Sequence, residues 1–122
     1  MKMTNNQIYE ASMKLMRAFS DENQYLPVKL NFYIQKNKKV LQGLAEDIDN
    51  ARLRIASEYG TLNEEGTEYI FDAEQTETAN KELFDLFNLE QEVNIHTVNM
   101  NSLPDDINLS VGQMDAILFM LD

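Results

Sequence analysis

The sequence predicts an α+β fold that is mostly helical, in which the first two helices form a long hairpin or bundle. Apolar residues recur at helical spacing through residues 1–60, which is typical of amphipathic helices. Turn residues and short β-branched or aromatic runs interrupt residues 61–122, which indicates a small antiparallel β element and two further helices. The length of 122 residues suits a single domain with a helical part at 1–60 and a mixed, acidic part at 61–122.

A capping box starts the first predicted helix. Thr4 stands at the N-cap, and Gln7 stands three residues later, where its side chain can bond back to the Thr4 backbone. Apolar residues then follow at helical spacing to about Ser20. The polar residues 21–24 predict a turn between the first two helices.

The longest predicted element begins at Pro27 and ends at Gly60, because proline tolerates the first turn of a helix and glycine often supplies a left-handed residue after the last turn. Its apolar stripe consists of Leu30, Ile34, Leu41, Leu44, Ile48, Ala51 and Ile55. This stripe suits a helix packed within its own domain, or a coiled-coil seam between two copies in which Asn37 sets the register. Gly43 marks a place for a bend or a close helix crossing.

The remaining sequence alternates predicted strands with predicted helices. Polar–apolar alternation and aromatic or β-branched content indicate the strands, whereas caps and helical spacing indicate the helices. Strands are predicted at 61–62, 67–71 and 92–98, and helices at 72–88 and from a capping box at Ser110 and Gln113 onward.

No set of residues indicates catalysis, a metal site or a cofactor. The chain has no cysteine and a single histidine, His96, which excludes thiolate sites and multi-histidine zinc sites. We interpret His96 as a surface or edge histidine, on the strand face opposite Val93 and Ile95. The acidic clusters lie at predicted helix ends and turns, and the four glycines form no phosphate loop. The sequence therefore predicts a protein that is not an enzyme and needs no cofactor.

The net charge of −11 is unevenly distributed along the chain. Residues 1–54 contain nine Lys/Arg and six Asp/Glu, a balance of +3, whereas residues 55–122 contain one Lys and fifteen acids, a balance of −14. This split predicts basic protein partners for the second half, or head-to-tail self-contact between the halves, with plain solubility as the alternative. The predicted partner-binding residues are Glu64, Glu65, Glu68, Tyr69, Glu74 and Glu77.

One basic stretch lies in the predicted long helix, and it combines four lysines with two aromatic residues. These residues are Lys29, Phe32, Tyr33, Lys36, Lys38 and Lys39. Four lysines spread around a helix give few convergent phosphate contacts, so we predict a solvated helix face without direct nucleic-acid binding. An acidic half that mimics a phosphate backbone remains an alternative role for residues 55–122.

The sequence also predicts an intracellular protein with no membrane contact. No stretch approaches the roughly eighteen apolar residues that are typical of a membrane-spanning helix. The first residues lead directly into a polar helical pattern without the apolar segment of a signal peptide.

Several short motifs together suggest a family. They are Thr4–Ile8, Leu26–Lys29 with Lys36-Asn37, Ala51-Arg52, Tyr59-Gly60, Glu90–Val93 and Met114–Asp122. In these motifs the chain resembles a family of small proteins of unknown function that phages and prophages encode, chiefly those of Gram-positive bacteria. The resemblance implies a viral origin and covers most of the chain, but the motifs are structural in character and carry no catalytic residues with them.

The combined prediction is a non-catalytic, phage-encoded interaction module that acts on a host or phage protein in the host cell cytoplasm. Counter-defence and host takeover are the roles that such a module would serve. The alternative is a minor structural or assembly component of the virion or its tail. Self-association is also predicted as an option, as a homodimer or higher oligomer through the long helix.

Overall fold

The computed structural model describes residues 1–21 and 24–122. Within these ranges the chain forms four α-helices and two two-stranded antiparallel sheets, so the predicted α+β, mostly helical fold is confirmed. The turn predicted at 21–24 includes residues 22 and 23, which lie outside the described ranges. In chain order the elements are β1 (Lys2–Thr4), α1 (Asn5–Ala18), α2 (Val28–Tyr59), β2 (Thr61–Leu62), β3 (Tyr69–Ile70), α3 (Ala73–Asn88), β4 (Glu90–Glu92) and α4 (Val111–Ile117), with single 3-10 turns at Met100–Ser102 and Leu118–Met120.

Reciprocal capping boxes start three of the helices. At α1 the Thr4 hydroxyl accepts a hydrogen bond from the Gln7 backbone N–H at 3.1 Å, and the Gln7 side-chain oxygen accepts one from the Thr4 N–H at 2.9 Å. The capping box predicted at Thr4 and Gln7 is therefore confirmed, and so is the one predicted at Ser110 and Gln113. The same arrangement starts the two later helices through Asp72 and Gln75 in α3 and through Ser110 and Gln113 in α4.

Helix α2 packs on α1 within the chain and buries most of its predicted stripe. Burial is greatest in the first half of the helix and decreases toward its end. The buried members are Leu30, Ile34, Leu41 and Ile48, and the half-buried members are Leu44, Ala51 and Ile55. Pro27 is the N-cap residue rather than part of the first turn, which leaves no side-chain cap at the start of α2.

The left-handed backbone predicted at Gly60 is wrong, and so is the close helix crossing that was one of two alternatives at Gly43. Gly60 ends α2 with a φ of −103°, which is extended rather than left-handed backbone. A Cβ atom there would lie 2.8 Å from the Ala56 carbonyl oxygen and 3.0 Å from the Phe71 ring, so close packing explains the glycine. No heavy atom would lie within 4 Å of a Cβ at Gly43, which excludes a close helix crossing among the described residues.

Both strands of the first sheet differ from the prediction. Strand β1, which was not predicted, pairs antiparallel with β4, so that Met3 lies opposite Gln91. Strand β4 covers only Glu92 of the strand predicted at 92–98. After it the chain continues without regular structure to an isolated parallel bridge between Val98 and Leu121. At His96, the Asn37 side chain of α2 forms the two backbone hydrogen bonds that a neighbouring strand would otherwise form.

The apolar core lies between α1, the first two-thirds of α2, and α4 with the 3-10 turn that follows it. Residues from the irregular segment after β4 close the core on one side. Its buried members are Met3, Ile8, Ala11, Leu15, Phe19, Leu30, Ile34, Leu41, Ile48, Val93, Val98, Ala116, Ile117 and Met120. The later part of α2 packs mainly on α3, whose own buried residue is Ala79.

Candidate partner-binding surfaces

The loop between β2 and β3 has a defined backbone that Asn63 organises. The Asn63 side-chain oxygen accepts a hydrogen bond from the Thr67 backbone N–H at 2.9 Å. The backbone N–H of Asn63 donates to the Glu68 carbonyl at 2.9 Å. The Gly66 N–H donates to the Asn63 carbonyl at 3.0 Å. Gly66 has a φ of +71°, which a glycine adopts without steric cost. The sequence therefore builds a compact turn that carries the three loop glutamates.

This hairpin exposes charge and apolar surface together. Glu64, Glu65 and Glu68 are exposed, and none of them forms an ion pair within residues 1–21 and 24–122. Beside them Leu62 is 52% exposed and Ile70 is 57% exposed. We refer to these five residues as the acidic end, because they follow the last residue of α2.

Tyr69 is less accessible than its neighbours in the hairpin. It is half-buried and lies directly opposite Leu62 in the β2–β3 register, so the two side chains share one face. Phe71 packs on Gly60 and fixes the hairpin to the end of α2. Sequence reasoning missed Leu62 and Ile70 as surface residues, because a strand of two residues is too short to show an alternating pattern.

The other two predicted residues lie on α3. Glu74 and Glu77 are exposed in its first two turns, where a carboxylate interacts favourably with the partial positive charge of a helix N-terminus. The structure therefore gathers the three loop glutamates on one hairpin and places these two on the following helix.

Carboxylates of α3 also act on the end of α2. The charge of Glu82 raises the pKa of the Tyr59 phenol above its ordinary value, and partial burial and Glu58 add to the increase. These two carboxylates therefore disfavour the ionised form of the Tyr59 phenol.

A second exposed surface lies near the start of α2. Lys36 Nζ lies 5.3 Å from the centre of the Phe32 ring, and Lys29 Nζ lies 6.0 Å from the centre of the Tyr33 ring, both within the range of a cation–π contact. Tyr33 in turn stacks on His96, with ring centres 5.8 Å apart and planes 4° apart. The basic stretch of the sequence is therefore an ordered array of rings and ammonium groups.

Asn37 anchors the irregular segment that carries His96. Its side chain is fully buried, its Nδ2 donates to the His96 carbonyl at 2.9 Å, and its Oδ1 accepts from the His96 N–H at 2.8 Å. Asn37 Nδ2 also lies 3.4 Å from the sulfur of Met120. His96 is half-buried on an irregular segment, so its predicted position on a strand face is wrong. Asn37, which the sequence analysis considered for a coiled-coil seam, makes these contacts within its own chain.

A cleft of about 380 Å³ lies on the surface where the start of the chain and α1 meet α4 and the 3-10 turn after it. At its rim Lys14 Nζ lies 3.2 Å from Asp115 Oδ2 and 3.3 Å from Glu10 Oε1. The hydrogen bond to Asp115, and to a smaller extent the one to Glu10, raises the pKa of Lys14 above its ordinary value. An ammonium group held in this way stays protonated, and it is therefore a poor base or nucleophile.

Neither a metal site nor a membrane span is present in the part of the chain that the structure describes. No group of three or more His, Asp or Glu side chains is arranged to hold a metal ion in residues 1–21 and 24–122. Among the same residues, no helix combines the length and apolar character that crossing a bilayer needs.

Comparison with known proteins gives no assignment. No family model, no curated protein and no solved structure matches this chain. The resemblance to phage proteins of unknown function therefore remains a prediction from the sequence motifs.

Proposed function

We propose that the chain is a non-catalytic interaction module that binds a basic surface of another protein through its acidic end. One observation carries the proposal: the hairpin presents three glutamates without ion pairs among the described residues, beside the exposed Leu62 and Ile70. Carboxylates steer a basic partner into contact, and apolar side chains at the centre of a contact supply most of its binding energy.

The partner is proposed to be a host or phage protein in the cytoplasm of an infected bacterium, where the module serves counter-defence or host takeover. The resemblance to phage and prophage proteins supports this setting. A minor virion or assembly component remains the alternative, and detection of the chain in purified particles would favour it.

The proposal of a non-catalytic role is supported by the state of the polar groups that catalysis would recruit. The ring of His96 stacks on Tyr33 rather than facing a nucleophile, and the Lys14 ammonium is held by two carboxylates. General acid–base chemistry needs a side chain that is free to reach the reacting atom, whereas these two side chains are engaged by Tyr33 and by Asp115 with Glu10.

The test uses the immobilised chain and a nuclease-treated lysate of a Gram-positive host. The variant Glu64→Lys with Glu65→Lys replaces two negative charges of the acidic end with two positive charges. The matched control is Asp105→Lys with Asp106→Lys, which makes the same charge change in an exposed turn before α4. We expect the wild-type chain and the control to retain the same basic proteins, and the first variant to lose them.

Salt and kinetics sharpen the test. Raising salt from about 0.1 M to about 1 M shortens the Debye length from about 10 Å to about 3 Å, so association with the captured protein should slow. The charge reversal should reduce mainly the association rate, whereas Leu62→Ala with Ile70→Ala should raise the dissociation rate. Equal capture by all variants would contradict the proposal. Release of the captured protein by added duplex DNA would favour the alternative role of a nucleic-acid mimic.

A further inference from the structure

The two exposed surfaces lie at opposite ends of α2. Lys29, Phe32, Lys36 and Lys39 are all exposed, and steps of three and four place them on one helix face, which we call the basic end. Even Lys39 is separated from Gly60 by about 32 Å of helix at 1.5 Å per residue. This distance is several times the Debye length of about 8 Å at physiological salt, so the two ends do not neutralise each other within one chain.

The basic end is locally free of negative charge in the sequence. Residues 24–45 contain four lysines and no Asp or Glu, although the chain has 21 acidic residues. None of these lysines forms an ion pair in the part of the chain that the structure describes. The N-terminus of α2 adds a partial positive charge to the same region. In the folded chain Asp21 lines a cleft with Lys38, and Asp106 lines one with Pro27, but Lys29, Lys36 and Lys39 line neither cleft. These three lysines therefore favour a negatively charged ligand.

Apolar side chains accompany the charges at both ends. At the basic end Phe32 is 55% exposed and the neighbouring Val28 is 83% exposed. Their counterparts at the acidic end are Leu62 and Ile70. The basic end thus combines two apolar groups with positive charge, whereas the acidic end has one apolar group on each face of the hairpin, since Leu62 lies opposite Tyr69 and Ile70 lies opposite Thr61. The two surfaces are complementary in charge.

We propose that the basic end of one copy binds the acidic end of a second copy, head to tail. This proposal deepens the proposed function, because it rests on the acidic end as a contact surface and names a second copy as one occupant. A second copy supplies both the carboxylates that the lysines lack and apolar side chains that can cover Phe32 and Val28. A nucleic acid supplies phosphates and bases that stack on aromatic rings, but the fifteen acids of residues 55–122 repel it.

Such a contact is heterologous, because different patches of the two copies meet. Each added copy leaves one basic end and one acidic end free, so association continues until a ring closes or a filament grows. The same contact covers the acidic end, and a basic partner therefore competes with self-association.

The test compares two double variants by sedimentation velocity over a range of concentrations at about 0.1 M salt, where screening is moderate. Lys29→Glu with Lys36→Glu reverses the basic end, and Glu64→Lys with Glu65→Lys reverses the acidic end. All four residues are exposed, so both variants should fold as the wild type does. Each variant alone should self-associate at least about tenfold more weakly, because like charges then face each other.

The decisive measurement is an equimolar mixture of the two variants. Both ends of one variant are then negative and both ends of the other are positive, so the mixture should associate again, with the two variants alternating, although neither variant associates alone. A chain that carries all four reversals should regain self-association. As a matched control, Lys81→Glu makes the same charge change as Lys36→Glu on the exposed face of α3 and should leave self-association unchanged.

Several results would overturn the proposal. They are a wild-type chain that stays monomeric at every concentration tested, variants that still self-associate as the wild type does, and a mixture that forms no complex. Binding of a fluorescent single-stranded oligothymidylate by a monomeric wild type, lost on reversal of Lys29 and Lys36, would assign the basic end to nucleic acid instead. The variant with the reversed basic end keeps a free acidic end, so lysate capture with it tests the proposed function separately.

Discussion

Replacement of Asn37 by alanine should cost a large share of the stability of the protein. The substitution removes both hydrogen bonds to the His96 backbone, at 2.9 Å and 2.8 Å, and leaves that N–H and carbonyl without a protein partner. A buried polar group without a partner costs about 1–3 kcal/mol. Since His96 is half-buried, water can compensate in part, and we expect a total loss of about 2–4 kcal/mol.

Urea unfolding followed by far-ultraviolet circular dichroism measures this loss. With a slope of about 2 kcal/mol per molar urea, which is typical of a small domain, this loss lowers the midpoint by about 1–2 M. Two controls separate the backbone contact from other effects. His96→Ala removes the ring that stacks on Tyr33 but keeps the backbone bonds, so it should cost less than about 1.5 kcal/mol. Asn31→Ala changes an exposed asparagine on the same helix and should cost less than about 0.5 kcal/mol.

A loss below about 0.5 kcal/mol for Asn37→Ala would refute this reasoning, because surface substitutions fall in that range. The oligomeric state gives an independent check on the other interpretation of this residue. A register-setting asparagine in a coiled-coil seam would alter the number of associated chains when replaced by leucine. We expect Asn37→Leu to destabilise the fold without changing the self-association per folded chain.

Three further substitutions test the fold and its electrostatics. Leu41→Ala empties a fully buried site and should cost about 2–5 kcal/mol in the same urea assay. Gly60→Ala forces a methyl group against the Ala56 carbonyl oxygen and the Phe71 ring and should cost about 1–3 kcal/mol, whereas no loss would mean that both the end of α2 and the ring shift freely. Glu82→Gln should lower the raised pKa of Tyr59 in an absorbance titration corrected with Tyr59→Phe. The stabilisation linked to the neutral phenol is complete below the unfolded pKa of about 10 and disappears as pH rises through the folded value.

Local signals in the sequence predicted the helices well. The capping boxes at Thr4 and Ser110 are each contained in four residues, and the stripe of α2 repeats often enough to define its buried face. Their physical causes are hydrogen bonds and side-chain spacing between near neighbours. Such causes act in the same way whatever the rest of the chain does.

The strands escaped prediction where their causes are not local. Strand β1 pairs with residues about ninety positions later, so nothing near Met3 marks it as a strand. The alternation at 92–98 suggested a longer strand, but Asn37 binds the backbone of His96 and replaces the partner strand. Gly60 matched the pattern of a left-handed cap, although the close approach of the Ala56 carbonyl oxygen and the Phe71 ring is what requires a glycine there. The exposure of Leu62 and Ile70 likewise depends on how the hairpin packs.

The same long-range contacts separate the positions that maintain the fold from those proposed to bind partners. Asn37 holds the first half of α2 to the segment before α4, and the contact of Phe71 with Gly60 holds the hairpin to the end of α2. The charged residues of both ends are exposed and contribute little to packing, so reversing their charge should leave the unfolding free energy within about 0.5 kcal/mol of the wild type. A binding defect in such a variant then reports on the surface itself. A charge reversal at Glu64 that lowered stability as much as Asn37→Ala does would mean that the hairpin is part of the folded core rather than a surface for a partner.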